Sequence, residues 1–422
     1  MNRNLNNNSV IKRDSYIWNA AFYGVNAVQP AILLLAVSRA GSLEEAGMVG
    51  IGFAFANALM ILGRYGLHNY QVTDVEEQYS FRDYFACRVI SVGMAAAVAL
   101  LYLIACVLTD RYTGHKAMII MELVILRLID AFEDVFIGRL QQKGRLDIGA
   151  RTGTVRQTII TAVIFLAEAF SGNLAASLLA GIVASIAVEA ILLPFTDRYA
   201  SYSLDFGKGS NQSERFLKTT LLIAGAALCV GTFLHNVLGN MTKYLIDFYL
   251  TDAEQAINNY LMLPVFVVTL MNYVLMQPVV KSIGDLWSRR ETNVLRRMII
   301  RHVLVLIFLA GIITAGVLIP GLQILSWMYR VPLTRYRGLA ALLMLGGLIY
   351  TMSEYFMMLL VVLRRQRVIV IGCISALITG VCLSAAIVPG RELYGTAFCY
   401  IAASLVMLSV FLVTILGMNK EV

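Results

Sequence analysis

The sequence predicts an all-α polytopic membrane protein, with about twelve transmembrane helices in two six-helix bundles. Three observations carry this. Of the 422 residues, 59% are apolar and 14% charged, whereas soluble chains are nearer half apolar and a quarter charged. A transmembrane helix takes roughly 20 mainly apolar residues, so twelve would use about 240, close to the whole apolar complement. The gaps between apolar runs stay below about 22 residues, too short for a soluble catalytic domain.

Apolar windows place the first six helices near 16–38, 46–67, 84–109, 116–138, 154–172 and 173–195. The polar, Asn-rich stretch before them has no apolar core and no small-residue cleavage site, so the first helix is expected to serve as the insertion signal. Only Ser171, Gly172 and Asn173 interrupt the apolar stretch 154–195, which reads as a tight helical hairpin. The other six helices fall near 218–239, 260–281, 299–319, 338–363, 368–388 and 394–416. Domain boundaries follow: an N-terminal bundle over 1–195, a polar linker over 196–217 containing Gly207 and Gly209, and a C-terminal bundle over 218–422.

The fourth helix of each half ends alike, in Gly138-Arg139-Leu140-Gln141-Gln142-Lys143 and in Leu363-Arg364-Arg365-Gln366-Arg367. Six helices is an even number, so the halves share one orientation. Such parallel repeats are a known transporter plan, with the substrate site between them.

With the N-terminus inside, 25 of the 34 Lys and Arg residues lie on inner segments, 8 lie outside, and Arg127 falls within a helix. The positive-inside rule then puts both termini in the cytoplasm. The same asymmetry accounts for the net charge of +8, which therefore argues for neither nucleic acid nor an anionic substrate. No G-x-x-x-x-G-K-[ST] phosphate cradle is present, so ATP hydrolysis is excluded. The six cysteines sit in or beside apolar runs without C-x-x-C spacing and read as packing residues, so neither a metal nor a cofactor is expected.

Charges near a bilayer centre cost about 2.5–3.5 kcal/mol and face an interior or a wet cavity. The fourth helix carries several. At 100° per residue, Asp130 and Asp134 fall about 300° and 340° around from Arg127, on one face. Arg127 lies roughly 16 Å into this helix and can pair with Asp130, leaving Asp134 as the extra charge. The stripe reads either as an internal salt bridge or as a cavity wall, with Arg127 a substrate-binding candidate and Asp130 and Asp134 ion-coupling candidates. Glu133 and Glu122 share a neighbouring face.

The first helix aligns Asn19, Tyr23, Asn26 and Pro30. This face suits a sugar, since Asn meets hydroxyls in both directions, or it serves interhelical hydrogen bonding. Arg64 and Arg88, at the inner ends of the second and third helices, either snorkel or present guanidinium forks to a pyrophosphate. In the second half, His235, Asn272 and Glu354 are embedded. Asn272 joins the substrate candidates and Glu354 the ion-coupling ones. Glu168 and Glu189 are expected to reach the interfaces.

The stretch Gly63-Arg64-Tyr65-Gly66-Leu67-His68-Asn69-Tyr70-Gln71-Val72-Thr73-Asp74, followed by Tyr79-Ser80-Phe81-Arg82-Asp83-Tyr84 and Arg88, resembles the polysaccharide transporter family. So does the segment from Asp130 through Gly138, Leu140-Gln141-Gln142 and Arg145 to Arg156. These are O-antigen and capsule flippases of the multidrug/oligosaccharidyl-lipid/polysaccharide exporter superfamily. The resemblance implies a V-shaped, alternating-access flippase in the bacterial inner membrane. It would move an undecaprenyl-pyrophosphate-linked oligosaccharide to the outer leaflet, coupled to H⁺ or Na⁺, without being an enzyme. Implied partners are membrane lipids and the polymerase and chain-length regulator of the same pathway. Two rivals share parts of this pattern: a cation-coupled multidrug or metabolite exporter of the same superfamily, and a membrane polysaccharide polymerase or ligase, whose large external loop this chain lacks.

Overall fold

In a computed structural model, residues 2–74, 76–202, 212–276, 279–363 and 365–418 are described. The middle of the expected linker, 203–211, and Arg364 of the repeat motif lie outside them. All regular structure among the described residues is helical. The chain divides into two compact units, Met1–Phe233 and Leu234–Val422. Helix α8 (Gln212–Gly239) runs across that division.

The first unit contains α1 (Asn2–Ala40), α2 (Leu43–Arg64), the short α3 (Leu67–Thr73), α4 (Phe81–Leu108), α5 (Gly114–Gln142), α6 (Leu146–Ser171) and α7 (Leu174–Ala200). Local chemistry sets several boundaries. Ser42 and Glu45 form a reciprocal capping box that starts α2, and Ser80 and Asp83 do the same for α4. Between α6 and α7 the hairpin turns at Gly172, at φ 57°, with Asn173 capping α7. That is the break read from Ser171-Gly172-Asn173.

Helix α5 is the centre of this unit and packs against α2, α3, α4, α6 and α7. The helix richest in charge is thus enclosed on all sides, as the cost of lipid exposure demands. Small residues let its neighbour approach: Gly52 of α2 faces Leu123, and Gly63 faces Ala131.

The second unit contains α9 (Met241–Tyr249), α10 (Asp252–Met276), α11 (Val280–Ser288), α12 (Thr292–Gly316), α13 (Leu322–Tyr329), α14 (Arg337–Val362) and α15 (Gln366–Met418). Pro320 sits in a π-helical bulge, Val317–Gly321, that joins α12 to α13. The 53-residue α15 is broken at Glu392, whose φ of 49° and ψ of −130° are not helical. The two halves of α15 match the windows 368–388 and 394–416. Here α14 plays the central part, packing on α10, α11, α12 and α15. The fourth spanning helix is therefore the hub of each unit.

Eight stretches among the described residues are long and apolar enough to cross a membrane. Helix α5 is not one of them, because its charges are distributed along its whole length. Boundaries differ from the windows where polar residues belong to a helix. Helix α6 begins at Leu146 rather than 154, so Arg156, which is one of the 25 residues assigned to inner segments by the windows, lies well inside it.

Candidate polar site of the N-terminal unit

Two layers of buried charge run along α5. In the first, Arg127 donates from Nη1 to Asp130 Oδ2 at 2.8 Å, the pair anticipated one turn apart. Its guanidinium also lies over the Phe53 ring, 5.1 Å from the centroid. Asp130 further accepts from Arg156 and, at 2.7 Å, from Gln157 Nε2. Arg156, fully buried, donates to Glu133 Oε2 and to Ser185 Oγ, each at 2.6 Å, and lies 3.8 Å from Glu189. Gln29 of α1 completes the layer, donating to Gln157 Oε1 at 3.2 Å.

The second layer surrounds Asp134. Arg88 donates to its Oδ2 at 2.7 Å and to the Gly63 carbonyl at 3.0 Å. On the other side, His68 Nδ1 stands 3.1 Å and Arg64 Nε 3.7 Å from Asp134 Oδ1. The expectation that Asp134 is an unpaired charge is thus corrected, since three cationic or titratable groups from α2, α3 and α4 enclose it. Arg88 is 0% exposed, so it does not flank an open mouth; Arg64 keeps about a third of its side chain exposed. Glu189 turns inward to Arg156, and Glu168 is fully buried. For Glu189 the reason is physical, because a carboxylate in this interior is stabilised beside a counter-charge.

A cavity of about 340 Å³ opens beside the second layer. It is lined by Asn19 and Tyr23 of α1, His68, Asn69, Val72 and Thr73 of α3, Gln141 of α5 and Leu146 of α6. Asn26 does not line it; its amide donates to the Phe22 carbonyl within its own helix at 2.9 Å. His68 reaches both ways, with Nε2 3.2 Å from Gln141 Oε1 and Nδ1 facing Asp134. Burial disfavours its charged form, but the Asp134 carboxylate outweighs this and holds the imidazole above its ordinary value.

The loop after α3 is tied down by polar contacts. Gln142 Nε2 donates to the Asp74 carbonyl at 2.6 Å, and the Asp74 carboxylate takes the Tyr84 hydroxyl at 3.1 Å. Glu77 pairs with Lys143 and with Arg139, which together hold its carboxyl below the usual range. The two sequence stretches that carry the family resemblance, 63–88 and 130–156, are therefore docked on one another.

The second unit holds a smaller cluster. His235 Nε2 lies 3.8 Å from Glu354 Oε1, and its ring stacks on Tyr350 at 5.0 Å. The Tyr350 hydroxyl stands 3.2 Å from His235 Nδ1, and Asn272 lies beside Glu354. Asn272 and Glu354, assigned separately to substrate and ion, thus share one site. Sequence reasoning gave His68, Arg156, Gln157 and Glu189 no role in this site; His68 and Arg156 stood within the stretches that carry the family resemblance, and no helical period ties any of the four to α5.

No protein-family model and no curated protein matches the chain. Its backbone is nevertheless similar to solved structures over nearly their full length. A multidrug resistance MATE family transporter of the MOP superfamily, in an inward-facing conformation, aligns with a TM-score of 0.66 at 10% identity, covering 96% of this chain and 98% of its own. The lipid II flippase MurJ, in an inward closed conformation, aligns at 0.64 and 12% identity, covering 93% and 87%. The Vibrio cholerae MATE transporter VcmN, as a point mutant, aligns at 0.61 and 11%, covering 98% and 97%. The chain is a multi-pass membrane protein by its long apolar helices, and it shares the fold of these solved structures.

Proposed function

We propose that this chain is a flippase for a lipid-linked oligosaccharide, carrying an undecaprenyl-pyrophosphate-linked head from the cytoplasmic to the outer leaflet of the bacterial inner membrane. The observation that carries this reading is the cavity that brings Asn19 and Tyr23 together with Asn69, Thr73 and Gln141. Amide, hydroxyl and aromatic groups on one wall are what a sugar needs, because each hydroxyl crossing hydrocarbon without a partner costs several kcal/mol. MurJ, a lipid II flippase of the same fold, supports a lipid-linked class of substrate. Among the basic candidates, Arg64 is the one with exposed surface for the pyrophosphate; Arg88 and Arg127 act from within the bundle by holding Asp134 and Asp130 in place. Asp134, ringed by cationic groups, is closed to a metal cation.

A second reading, a cation-coupled exporter, draws support from the MATE relatives of the fold and from Glu354, whose companions Asn272 and His235 are neutral or weakly basic. Proteoliposomes separate the two. Asn19→Ala with Tyr23→Ala should slow translocation of a polyprenyl-pyrophosphate oligosaccharide about thirtyfold, at roughly 1 kcal/mol for each lost contact, and leave protein abundance unchanged. Undiminished sugar translocation would refute the cavity assignment; efflux of an organic cation that needs Glu354, with no movement of lipid-linked sugar, would establish the exporter.

A further inference from the structure

His68 is the point where the polar cavity meets the buried charge. Its Nε2 faces Gln141 Oε1 at 3.2 Å and its Nδ1 faces Asp134 Oδ1 at 3.1 Å. The second approach lies off the N–H line, an ion pair rather than a hydrogen bond. A neutral imidazole carries one N–H and one lone pair, so it would turn a lone pair toward an oxygen on one side. An imidazolium donates from Nε2 to Gln141 Oε1 and turns positive charge toward the Asp134 carboxylate.

We propose that His68 is a proton-binding residue of the cavity wall. As an imidazolium it ties Gln141 to Asp134; on release of the proton the wall loses one positive charge and α3 loses a tie to α5.

Every element around the ring enters the balance. Asp134 of α5 favours the proton, and Arg64 of α2 opposes it across 3.7 Å from the same carboxylate oxygen. Arg88 of α4 occupies the other oxygen of Asp134. Asn19 and Tyr23 of α1, Leu146 of α6, and Asn69 and Thr73 beside it on α3 line the cavity. With His68 neutral, Arg64, Arg88 and Asp134 sum to one positive charge; with His68 protonated they sum to two. A pyrophosphate entering the cavity is therefore held more tightly in the protonated state and released as the proton leaves. The sign follows the raised value of His68: the charge is present in acid and lost as pH climbs through a midpoint above 6.5. The link to pyrophosphate rests on the flippase reading, whereas the protonation site does not.

The test uses the full-length protein in lipid nanodiscs with ¹⁵N-labelled histidine. There are four histidines, and His68→Gln identifies the signal. The proposal predicts that both ring nitrogens carry protons at pH 6, that the midpoint lies above 6.5, and that Asp134→Asn lowers it. Gln141→Leu supplies the same downward shift should Asp134→Asn fail to fold. A neutral ring at pH 6, with the Gln141 amide turned to donate, overturns it, as does a midpoint that neither variant moves. In the same nanodiscs, undecaprenyl pyrophosphate should bind about fivefold more tightly at pH 6 than at pH 8.5, with no such dependence in His68→Gln. Persistence of the dependence in that variant overturns the proposal. A His68 that titrates as described in a protein that binds no polyprenyl pyrophosphate at any pH upholds the proton site and refutes the flippase reading instead.

Discussion

Arg156 makes four contacts to side chains of α5 and α7 while fully removed from solvent: Asp130, Glu133, Ser185 and Glu189. Removing it leaves at least two carboxylates without a counter-charge in a low-dielectric interior. Breaking one side of a buried pair costs about 3–5 kcal/mol, so Arg156→Leu should abolish a folded, monodisperse species in detergent. Glu77→Gln, which loses a half-exposed pair with Lys143 and Arg139, should cost less than about 1 kcal/mol. Thermal unfolding monitored by size-exclusion chromatography checks both; equal losses would contradict the placement of the two networks. The Arg127–Asp130–Asp134 stripe was legible in the sequence because helical period alone puts those residues on one face. Apart from Arg127, the partners of Asp130 and Asp134 were not, because Arg88, His68 and Arg156 meet α5 from three other helices, and no single-helix period encodes such a crossing.

At the scale of elements, α3 is the small piece on which the cavity depends. It is seven residues long, and Gln71 anchors it by donating to the Val135 carbonyl of α5 at 3.1 Å. The docking needs Gly138, since a Cβ there would overlap Gln71 Oε1. Gly138→Ala should therefore expel the buried Gln71 side chain and forfeit about 1 kcal/mol for its hydrogen bond. Its visible sign would be faster hydrogen exchange in 67–73, with exchange in α2 unchanged; protection of α3 at the wild-type level would contradict this docking. The spanning helices themselves were readable because twenty apolar residues in a row allow few alternatives. Helix α3 was not: His68, Asn69, Tyr70 and Gln71 give no apolar period, and it is helical because it packs onto α5. The early start of α6 was hidden likewise, because its first turns mix Asp147 and Arg151 with the buried small residues Gly149, Ala150 and Gly153, which make no apolar run.

Across the whole molecule, each unit is organised around one helix, α5 or α14, and each carries a buried polar cluster beside it. Length and composition led to the all-helical membrane fold directly, and backbone similarity to MOP transporters agrees with it. Cargo is a finer property, set by a handful of cavity side chains. The most direct measurement of the flippase reading is made in the native bacterium: deplete the protein, prepare right-side-out membrane vesicles, and add a glycosidase against undecaprenyl-linked oligosaccharide. The account predicts a growing pool that the enzyme cannot reach, because it has stayed on the cytoplasmic leaflet. A pool that stays small or fully accessible, in cells that instead become sensitive to cationic drugs, would contradict it.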